Sequence, residues 1–310
     1  MRNRALLAIL FANFVGGISY LMQKLALDGL PPTTITLGRN LVALVAMLIW
    51  ARSRGGIQWK STRREHLLMF LLGTMSFTLP MLLGVIGTEK STAANGSIMI
   101  LLEPGVILLL SWWLLKEHVS WKQVLGVGLG LVGATIIVLK DAPISGLLVE
   151  EHLEGNLILI LHGILWGTFT PIARILTRTK KPLDVTLISM CYGFVILLPG
   201  TVIESAEWHT GPHLLQALVW ILVLGVLVTW LGTYMWNFAA SILRGKTIAP
   251  FLFLQPVAGA ASSWLVLGEE LSTGTWIGSL IIAGGVMLVI GTGTPEERES
   301  DRIADAERAG

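Results

Sequence analysis

Apolar residues fill long, nearly uninterrupted stretches of this chain, and polar residues collect between them. A helix needs about 20 apolar residues to cross roughly 30 Å of hydrocarbon. Strict alternation of apolar and polar positions, the pattern of an outer-membrane barrel, is not found along the sequence. The pattern therefore predicts an all-α integral membrane protein with ten transmembrane helices. The predicted spans are approximately 5–27, 33–51, 66–86, 92–115, 122–139, 155–175, 184–203, 215–237, 246–267 and 275–292.

Composition and charge agree with residence in lipid. The chain has 310 residues, of which 53% are hydrophobic and 14% charged, whereas about a quarter of a soluble protein is charged. Lys and Arg collect in alternate connections. The opposite connections carry only Lys90 and Lys140 as cations, together with Glu150, Glu151 and Glu154. The positive-inside rule then places both termini in the cytoplasm, which predicts a multi-pass protein of the cell inner membrane.

A duplicated block divides the chain into two halves. Residues 102–126 and 254–278 align at an offset of 152 positions. The earlier part of each half aligns at an offset of 150, with Gly17 matching Gly167 and Pro32 matching Pro182. The identical positions within the block are Leu102/Leu254, Pro104/Pro256, Ser111/Ser263, Trp112/Trp264, Leu115/Leu267, Glu117/Glu269, Ser120/Ser272 and Gly126/Gly278. Internal duplication of apolar segments is typical of transporters.

Five predicted helices in each half give the two halves opposite orientations. Because five is odd, the second copy enters the membrane from the other side, and the halves are predicted to be inverted repeats. The predicted boundaries are 1–140 for the first five-helix repeat, 141–154 for an outer connecting loop, 155–292 for the second repeat and 293–310 for a cytoplasmic tail.

The duplicated blocks also carry a family resemblance. The stretches from Leu102 to Glu117 and from Leu254 to Glu269, each followed by a serine and a glycine-marked helix, resemble the EamA-like group of the drug/metabolite transporter superfamily, as does Arg39. The resemblance implies a ten-helix secondary transporter that alternates access around a central cavity and typically exports amino acids or related small metabolites. The tryptophan common in the first helix of such proteins is Gly16 here, whereas the second half keeps Trp166.

Glu103 is the carboxylate nearest the middle of a predicted span, and its duplicate is Gln255. An ionised group at that depth costs about 2.5 to 3.5 kcal/mol on insertion scales. Removal from water favours the neutral carboxyl, so Glu103 could bind and release a proton as a cavity opens to each side. Alternatively it is a neutral residue hydrogen-bonded to a neighbouring helix. Proton coupling through Glu103 is the first interpretation, and both stay open.

Pro104 and Pro256 predict breaks in the two duplicated helices. Proline lacks an amide hydrogen, so the carbonyls of Ile100 and Leu252 lose their helical partners. Such carbonyls could contact substrate or ion, or the kink could be satisfied by hydroxyl groups or water.

Small, polar and aromatic residues on several predicted helix faces form a candidate cavity for a small amphipathic solute. Packing between helices is the alternative role for each of them. Arg39 could bind a substrate carboxylate or pair with an acidic residue. The candidate substrate-binding residues are Asn13, Gly17, Tyr20, Arg39, Asn95, Met99, Trp166, Thr170, Trp230, Tyr234 and Gln255.

Structural roles are predicted for several of the remaining residues. Lys24 and Arg174 lie near helix ends, where long side chains reach lipid headgroups. Glu117 and Glu269 should face opposite sides of the membrane and are interpreted as helix-end residues. Glycine faces on the fifth and tenth helices predict close packing, within one chain or across a homodimer. The glycines concerned are Gly126, Gly128, Gly130, Gly133, Gly278, Gly284 and Gly285.

The sequence lacks the motifs of ATP hydrolysis, metal binding and disulfide formation. The sequence has no Walker-type loop for ATP, its six histidines show no metal-ligand spacing, and Cys191 is its single cysteine. No cofactor, metal or nucleic acid partner is predicted, and no enzymatic activity. The expected partners are a small-molecule substrate and the lipid bilayer. The alternatives are a multidrug efflux or solute uptake carrier and, in a different class, an intramembrane lipid-modifying enzyme, which would need clustered Asp, His or Cys.

Overall fold

The structure, a computed structural model, describes residues 1–53, 55–90, 102–138, 153–205, 213–267 and 273–290, and all regular structure within these ranges is helical. Six helical stretches of this part are long and apolar enough to cross a membrane: Arg2–Leu27, Pro32–Ser53, Arg63–Gly84, Leu153–Thr177, Pro182–Glu204 and Leu214–Ile242. Shorter apolar helices cover Glu103–Leu115, Trp121–Ile136 and Thr273–Leu288.

The described part of the chain contains the following α-helices in chain order. They are α1 (Arg2–Leu27), α2 (Pro32–Ser53), α3 (Arg63–Gly73), α4 (Leu79–Glu89), α5 (Glu103–Leu115), α6 (Trp121–Val138), α7 (Leu153–Thr177), α8 (Pro182–Glu204), α9 (Leu214–Val223), α10 (Thr233–Ile242), α11 (Gly245–Ile248), α12 (Leu254–Leu267) and α13 (Thr273–Ile290).

The predicted span 246–267 is wrong as one continuous helix. It is built from α11, a 3-10 segment over Ala249–Phe253 and α12. Pro250 lies within the tighter 3-10 segment and Pro256 in the first turn of α12, and both lack the amide hydrogens that uninterrupted α-helical pairing would need. Of the predicted span 92–115, residues 92–101 lie outside the described ranges, and α5 covers 103–115.

Two π-helical segments interrupt otherwise continuous helices. Residues Thr74–Thr78 join α3 to α4, and residues Leu224–Gly232 join α9 to α10. They begin 150 positions apart, the same offset that relates Gly17 to Gly167. In the first segment the Leu79 amide donates to the Thr74 carbonyl, five residues back. This shift in hydrogen bonding accommodates Pro80, which has no amide hydrogen to donate. Trp230 occupies the position in the second half that matches Pro80, so a π-helical segment forms there without a proline.

Side chains cap several helix ends. The Thr62 hydroxyl accepts the Glu65 amide at 3.2 Å, and the Glu65 carboxylate accepts the Thr62 amide at 2.8 Å, which forms a capping box at the start of α3. At the start of α2, the carboxylate of Glu204 accepts the amides of Thr33 and Thr34 at 3.1 and 2.9 Å. Glu204 therefore fixes the end of α8 against the beginning of α2.

The glycine faces of α6 and α13 pack against each other within the chain. A Cβ added at Gly133 would lie 2.6 Å from the Gly278 carbonyl oxygen, and one added at Gly285 would lie 2.8 Å from that of Gly126. Neither distance leaves room for a side chain. The predicted close packing of these two helices is thus an intramolecular contact.

Large apolar side chains also cover much of the outer surface. Leu7, Ile49, Val202, Ile203 and Leu215 are each more than 60% exposed. Such a surface is unfavourable in water and suits helices whose outer faces contact lipid tails.

Candidate substrate-binding site

Three predicted site residues meet where α1 packs on α12. Asn13 is fully buried, and its side-chain oxygen accepts a hydrogen bond from the Gln255 amide nitrogen at 3.2 Å. The Asn13 amide nitrogen donates to the Ile9 carbonyl at 2.8 Å. A Cβ at Gly17 would collide with the Gln255 carbonyl oxygen. The glycine thus permits the close approach that brings Asn13 and Gln255 together.

The contact between α5 and α7 is equivalent to this one. A Cβ added at Gly167 would lie 3.1 Å from the Glu103 carbonyl oxygen and 2.5 Å from the Cβ of Val106. In the sequence alignment Gly167 matches Gly17 and Glu103 matches Gln255. Asn13, however, is matched by Gly163. Glu103 therefore faces no counterpart of the amide that satisfies Gln255.

Glu103 is the first residue of α5 and is 6% exposed. It forms no hydrogen bond or ion pair with any residue that the structure describes. The alternative role, a carboxyl group bonded to a neighbouring helix, is not realised among these residues. What the chain presents here is a buried carboxyl group whose polar partner must come from elsewhere.

Arg39 lies on α2 and is 5% exposed. Its Nε donates to the hydroxyl of Thr229 at 2.7 Å, so the partner is neutral and belongs to the second π-helical segment. The close approach depends on Gly225, where an added Cβ would lie 2.9 Å from the Arg39 carbonyl oxygen and 2.5 Å from the Cβ of Val42. Among the described acidic residues, none forms an ion pair with Arg39.

Trp230 and Tyr234 both contact Trp50 at the end of α2. The ring centroids of Trp50 and Tyr234 are 4.9 Å apart, and those of Trp50 and Trp230 are 6.1 Å apart, each pair in an edge-to-face arrangement. This geometry is the favoured one for aromatic pairs. The buried indole nitrogen of Trp230 has no hydrogen-bond partner in the described part of the chain.

Trp166 and Thr170 lie about one helical turn apart on α7. Trp166 contacts Phe77 at 5.7 Å and Phe169 at 6.1 Å between ring centroids. Thr170 is fully buried and accepts a hydrogen bond from the Trp236 indole nitrogen at 3.1 Å. Trp166, Trp230, Tyr234 and Trp50 pack against one buried cluster. Three of the predicted aromatic site residues, Trp166, Trp230 and Tyr234, thus share one cluster of packed side chains.

Three predicted site residues lie outside what the structure describes. They are Asn95, Met99 and the side chain of Tyr20. The same holds for Glu269 and for the side chain of Lys24. Their places in the site stay predictions.

Pro104 and Pro256 lie in the first turns of α5 and α12. Proline is tolerated there because first-turn amides have no intrahelical acceptor. Both prolines therefore stand at the beginning of a described helix, and a 3-10 segment precedes α12. The Leu252 carbonyl, which Pro256 deprives of its helical partner, accepts the Leu254 amide instead, as does the carbonyl of Phe251. Ile100 lies outside the described residues.

Arg174 does not reach toward headgroups as predicted. Its Nε lies 3.3 Å from the Glu117 carboxylate, and its Nη1 donates to the Ala240 carbonyl at 3.3 Å. Glu117 is 8% exposed and also accepts the Lys246 amide at 3.4 Å. Glu117 therefore links the end of α5 to α7 and α11.

Sequence reasoning missed Thr229, Trp50 and Trp236. Thr229 is the one hydroxyl residue of the apolar segment Leu224–Gly232, 190 positions from Arg39, and no periodicity links the two. Trp50 lies in the last turn of α2, where a tryptophan ordinarily marks the membrane interface. Across the described residues, no three His, Cys, Asp or Glu side chains are grouped as metal ligands would be.

Known proteins of similar sequence are transporters. An uncharacterized transporter of Archaeoglobus fulgidus is 24% identical over 93% of this chain and 96% of its own length. A probable terminal-alkyne amino-acid exporter of Streptantibioticus cattleyicolor is 23% identical over 93% of both chains. An S-adenosylmethionine/S-adenosylhomocysteine transporter of Chlamydia trachomatis is 26% identical over 93% of this chain and 88% of its own.

The fold and the family profile agree with these relatives. A crystal structure that is 15% identical superposes with a TM-score of 0.81, covering 94% of this chain and 99% of the other, which supports the fold alone. The profile of the EamA-like transporter family matches residues 3–139 and again residues 153–291. With two matches that together span nearly its whole length, the chain belongs to the EamA-like transporter family.

Proposed function

We propose that this protein is a secondary transporter that exports amino acids or related small metabolites by alternating access, with Glu103 as its proton carrier. Membership of a transporter family already implies a small-molecule substrate and a multi-pass membrane protein. Two relatives have names that state such substrates, one an amino-acid exporter and the other an S-adenosylmethionine/S-adenosylhomocysteine transporter. These names favour amino acids and their derivatives as the first substrates to test.

The proposed architecture has ten helices in two inverted repeats, over 1–140 and 155–292. Both termini lie in the cytoplasm, and the protein resides in the cell inner membrane. Two observations support the repeats. Gly17 meets Gln255 as Gly167 meets Glu103, and the π-helical segments begin at the matched residues Thr74 and Leu224. Inverted repeats give a transporter two alternative packings of similar energy, which alternating access requires.

The proposal rests on a chemical difference between two helix contacts of the same geometry, one at Gln255 and the other at Glu103. Gln255 is satisfied by Asn13 at 3.2 Å. At the matched place Glu103 is buried and has no described partner, and the sequence has Gly163 where the first half has Asn13. A carboxylate in the membrane interior is costly when ionised. Glu103 would therefore take up a proton when the site closes and release it when water enters, and Gln255 cannot do so.

Proteoliposomes test this directly. Purified protein is reconstituted with a pH gradient, and accumulation of labelled L-amino acids is measured. We expect Glu103→Gln to abolish gradient-driven accumulation while amino acid counterflow continues, because exchange needs no net proton transfer. Glu154→Gln is the matched control, since Glu154 is an exposed carboxylate. A Glu103→Gln protein that keeps full pH dependence would end the proton-carrier role, and counterflow of cationic drugs alone would assign multidrug efflux instead.

A homodimer through α6 and α13 is a further proposal. The inward glycines of these helices are used within the chain, as at Gly133 and Gly285. At Gly128 and Gly284 an added Cβ would meet nothing within 4 Å, so these positions are open to a second copy. Light scattering of the detergent-solubilised protein, corrected for bound detergent, distinguishes a dimer from a monomer.

A further inference from the structure

We infer that Arg39, held in place by Thr229, binds the carboxylate group of the transported solute. The inference rests on the proposed transport function and narrows the substrate to molecules that carry a carboxylate. It assigns two roles. Arg39 makes the contact with the solute, and Thr229 is a positioning residue that orients the guanidinium.

Burial of an uncompensated cation is the starting observation. Arg39 lies two helical turns into α2 and is 5% exposed. Its hydrogen-bond partner is the neutral hydroxyl of Thr229, and no carboxylate of the described residues lies within ion-pair distance of the guanidinium. A guanidinium in a membrane span is costly and is usually compensated by an anion. A solute carboxylate supplies that anion when it binds.

The hydrogen bond to Thr229 uses only the Nε–H of Arg39 and leaves the two terminal amino groups available to bind a carboxylate. A guanidinium carries five N–H donors in a fixed plane. Thr229 occupies the Nε–H at 2.7 Å. The two terminal amino groups stay available, and their parallel N–H bonds match the two oxygens of a carboxylate. A lysine could not reproduce this bidentate geometry.

The π-helical segment explains how Thr229 reaches Arg39. Thr229 is 1% exposed and lies inside Leu224–Gly232. The backbone approach is made possible by Gly225, packed against Val42, and by Gly38, where an added Cβ would lie 3.0 Å from the Ile221 side chain. π-helical turns insert an extra residue into a helix and often occur at functional sites. The fixed Thr229 hydroxyl thereby limits the rotation of the guanidinium.

The two halves differ at this position, so the site occurs once. The residue that matches Arg39 is Ser189, and the residue that matches Thr229 is Leu79. The Ser189 hydroxyl is buried and has no hydrogen-bond partner in the described part of the chain. Ser189 cannot bind a carboxylate through charge, and one carboxylate per transport cycle is the expected stoichiometry.

Binding to the purified full-length protein tests the inference separately from transport. Thermal stabilisation in detergent is measured with paired probes, each an amino acid and its decarboxylated amine: L-tryptophan with tryptamine, and L-leucine with 3-methylbutylamine. We expect at least one amino acid to stabilise the wild type, with affinity at least tenfold above that of its amine. Thr229→Val should lower amino acid affinity about tenfold, as loss of one hydrogen bond to a charged group implies. Thr229→Ser should restore it, and Ser189→Ala is the matched control.

The ratio of amino acid to amine affinity is the deciding quantity, because a purely structural role of Thr229 would lower both affinities together. Arg39→Lys keeps the charge without the bidentate geometry and should lower the ratio, and Arg39→Gln should bring it close to one. Equal affinities in the wild type, an absence of binding by every probe, or an unchanged ratio in Thr229→Val would overturn the inference. Flux of amino acids without this discrimination would leave the export function standing and remove the Arg39 site. If the protein binds amino acids more tightly than their amines but transports none of them, the Arg39 site would stand and the export function would be removed.

Discussion

The guanidinium of Arg174 lies 3.3 Å from the carboxylate of Glu117, measured from Nε to Oε1, and both side chains are largely buried. Glu117 follows α5 in the first half of the chain, and Arg174 lies in the last turn of α7 in the second. The pair therefore ties the two halves together at one end of the helices. The Lys246 amide, which donates to the same carboxylate at 3.4 Å, adds α11 to this junction.

Removing the Glu117 charge should destabilise the protein strongly. Glu117→Gln leaves Arg174 buried without its counterion, and breaking one partner of a buried pair costs about 3 to 5 kcal/mol. We expect a clear fall in Tm, measured by thermal unfolding in detergent.

The control for this experiment is an exposed ion pair of shorter distance. Lys90 and Glu154 are 2.9 Å apart, but their side chains are 44% and 70% exposed. Glu154→Gln should therefore change the free energy of unfolding by less than about 1 kcal/mol. Equal shifts in the two variants would mean that the Glu117–Arg174 pair is not desolvated.

A methyl group at Gly17 should disrupt the contact between α1 and α12. An added Cβ would collide with the Gln255 carbonyl and approach the Ala258 Cβ at 2.8 Å, so the backbones must move apart. We expect Gly17→Ala to lower Tm and to reduce the yield of monodisperse protein in size-exclusion chromatography, with Gly167→Ala behaving likewise.

Gly105→Ala is the matched substitution in an open position. An added Cβ there meets nothing within 4 Å, and alanine is favoured over glycine inside a helix by up to about 1 kcal/mol. Tm should stay unchanged or rise. A fall as large as that of Gly17→Ala would show that the α1–α12 contact does not explain the sensitivity of these glycines.

The sequence predicted the parts of the fold that depend on local patterns. Apolar length located the six long helices, and Pro32 and Pro182 begin α2 and α8 because proline fits a first helical position. The matches of Gly17 to Gly167 and of Glu103 to Gln255 were visible as spacing alone. Their contacts in the structure fall at these same positions.

Features that depend on long-range packing were not visible. Apolar length cannot distinguish an α-helix from a π-helical or 3-10 segment, so the interruptions at Thr74–Thr78 and Ala249–Phe253 escaped prediction. Arg174 was expected to reach headgroups because position in a span does not reveal that Glu117 lies beside it. For the same reason Thr229 could not be linked to Arg39.

The two equivalent helix contacts should respond oppositely to loss of a polar group. Gln255→Leu removes the donor to Asn13 and leaves a fully buried amide oxygen unsatisfied, which costs about 1 to 3 kcal/mol. Glu103→Gln breaks no interaction with a described residue and removes an ionisable group from the membrane interior. We expect a lower Tm for Gln255→Leu, and an unchanged or higher Tm for Glu103→Gln.

A double-mutant cycle separates the hydrogen bond from simple loss of volume. Asn13→Ala removes the acceptor of the Gln255 amide together with the bond that Asn13 donates to Ile9. If the Asn13–Gln255 bond stabilises the α1–α12 contact, the double variant should lose less stability than the sum of the single variants, by about 1 kcal/mol. Strict additivity would mean that the two amides do not interact. In that case the absence of an amide at Gly163 would no longer distinguish the environment of Glu103 from that of Gln255.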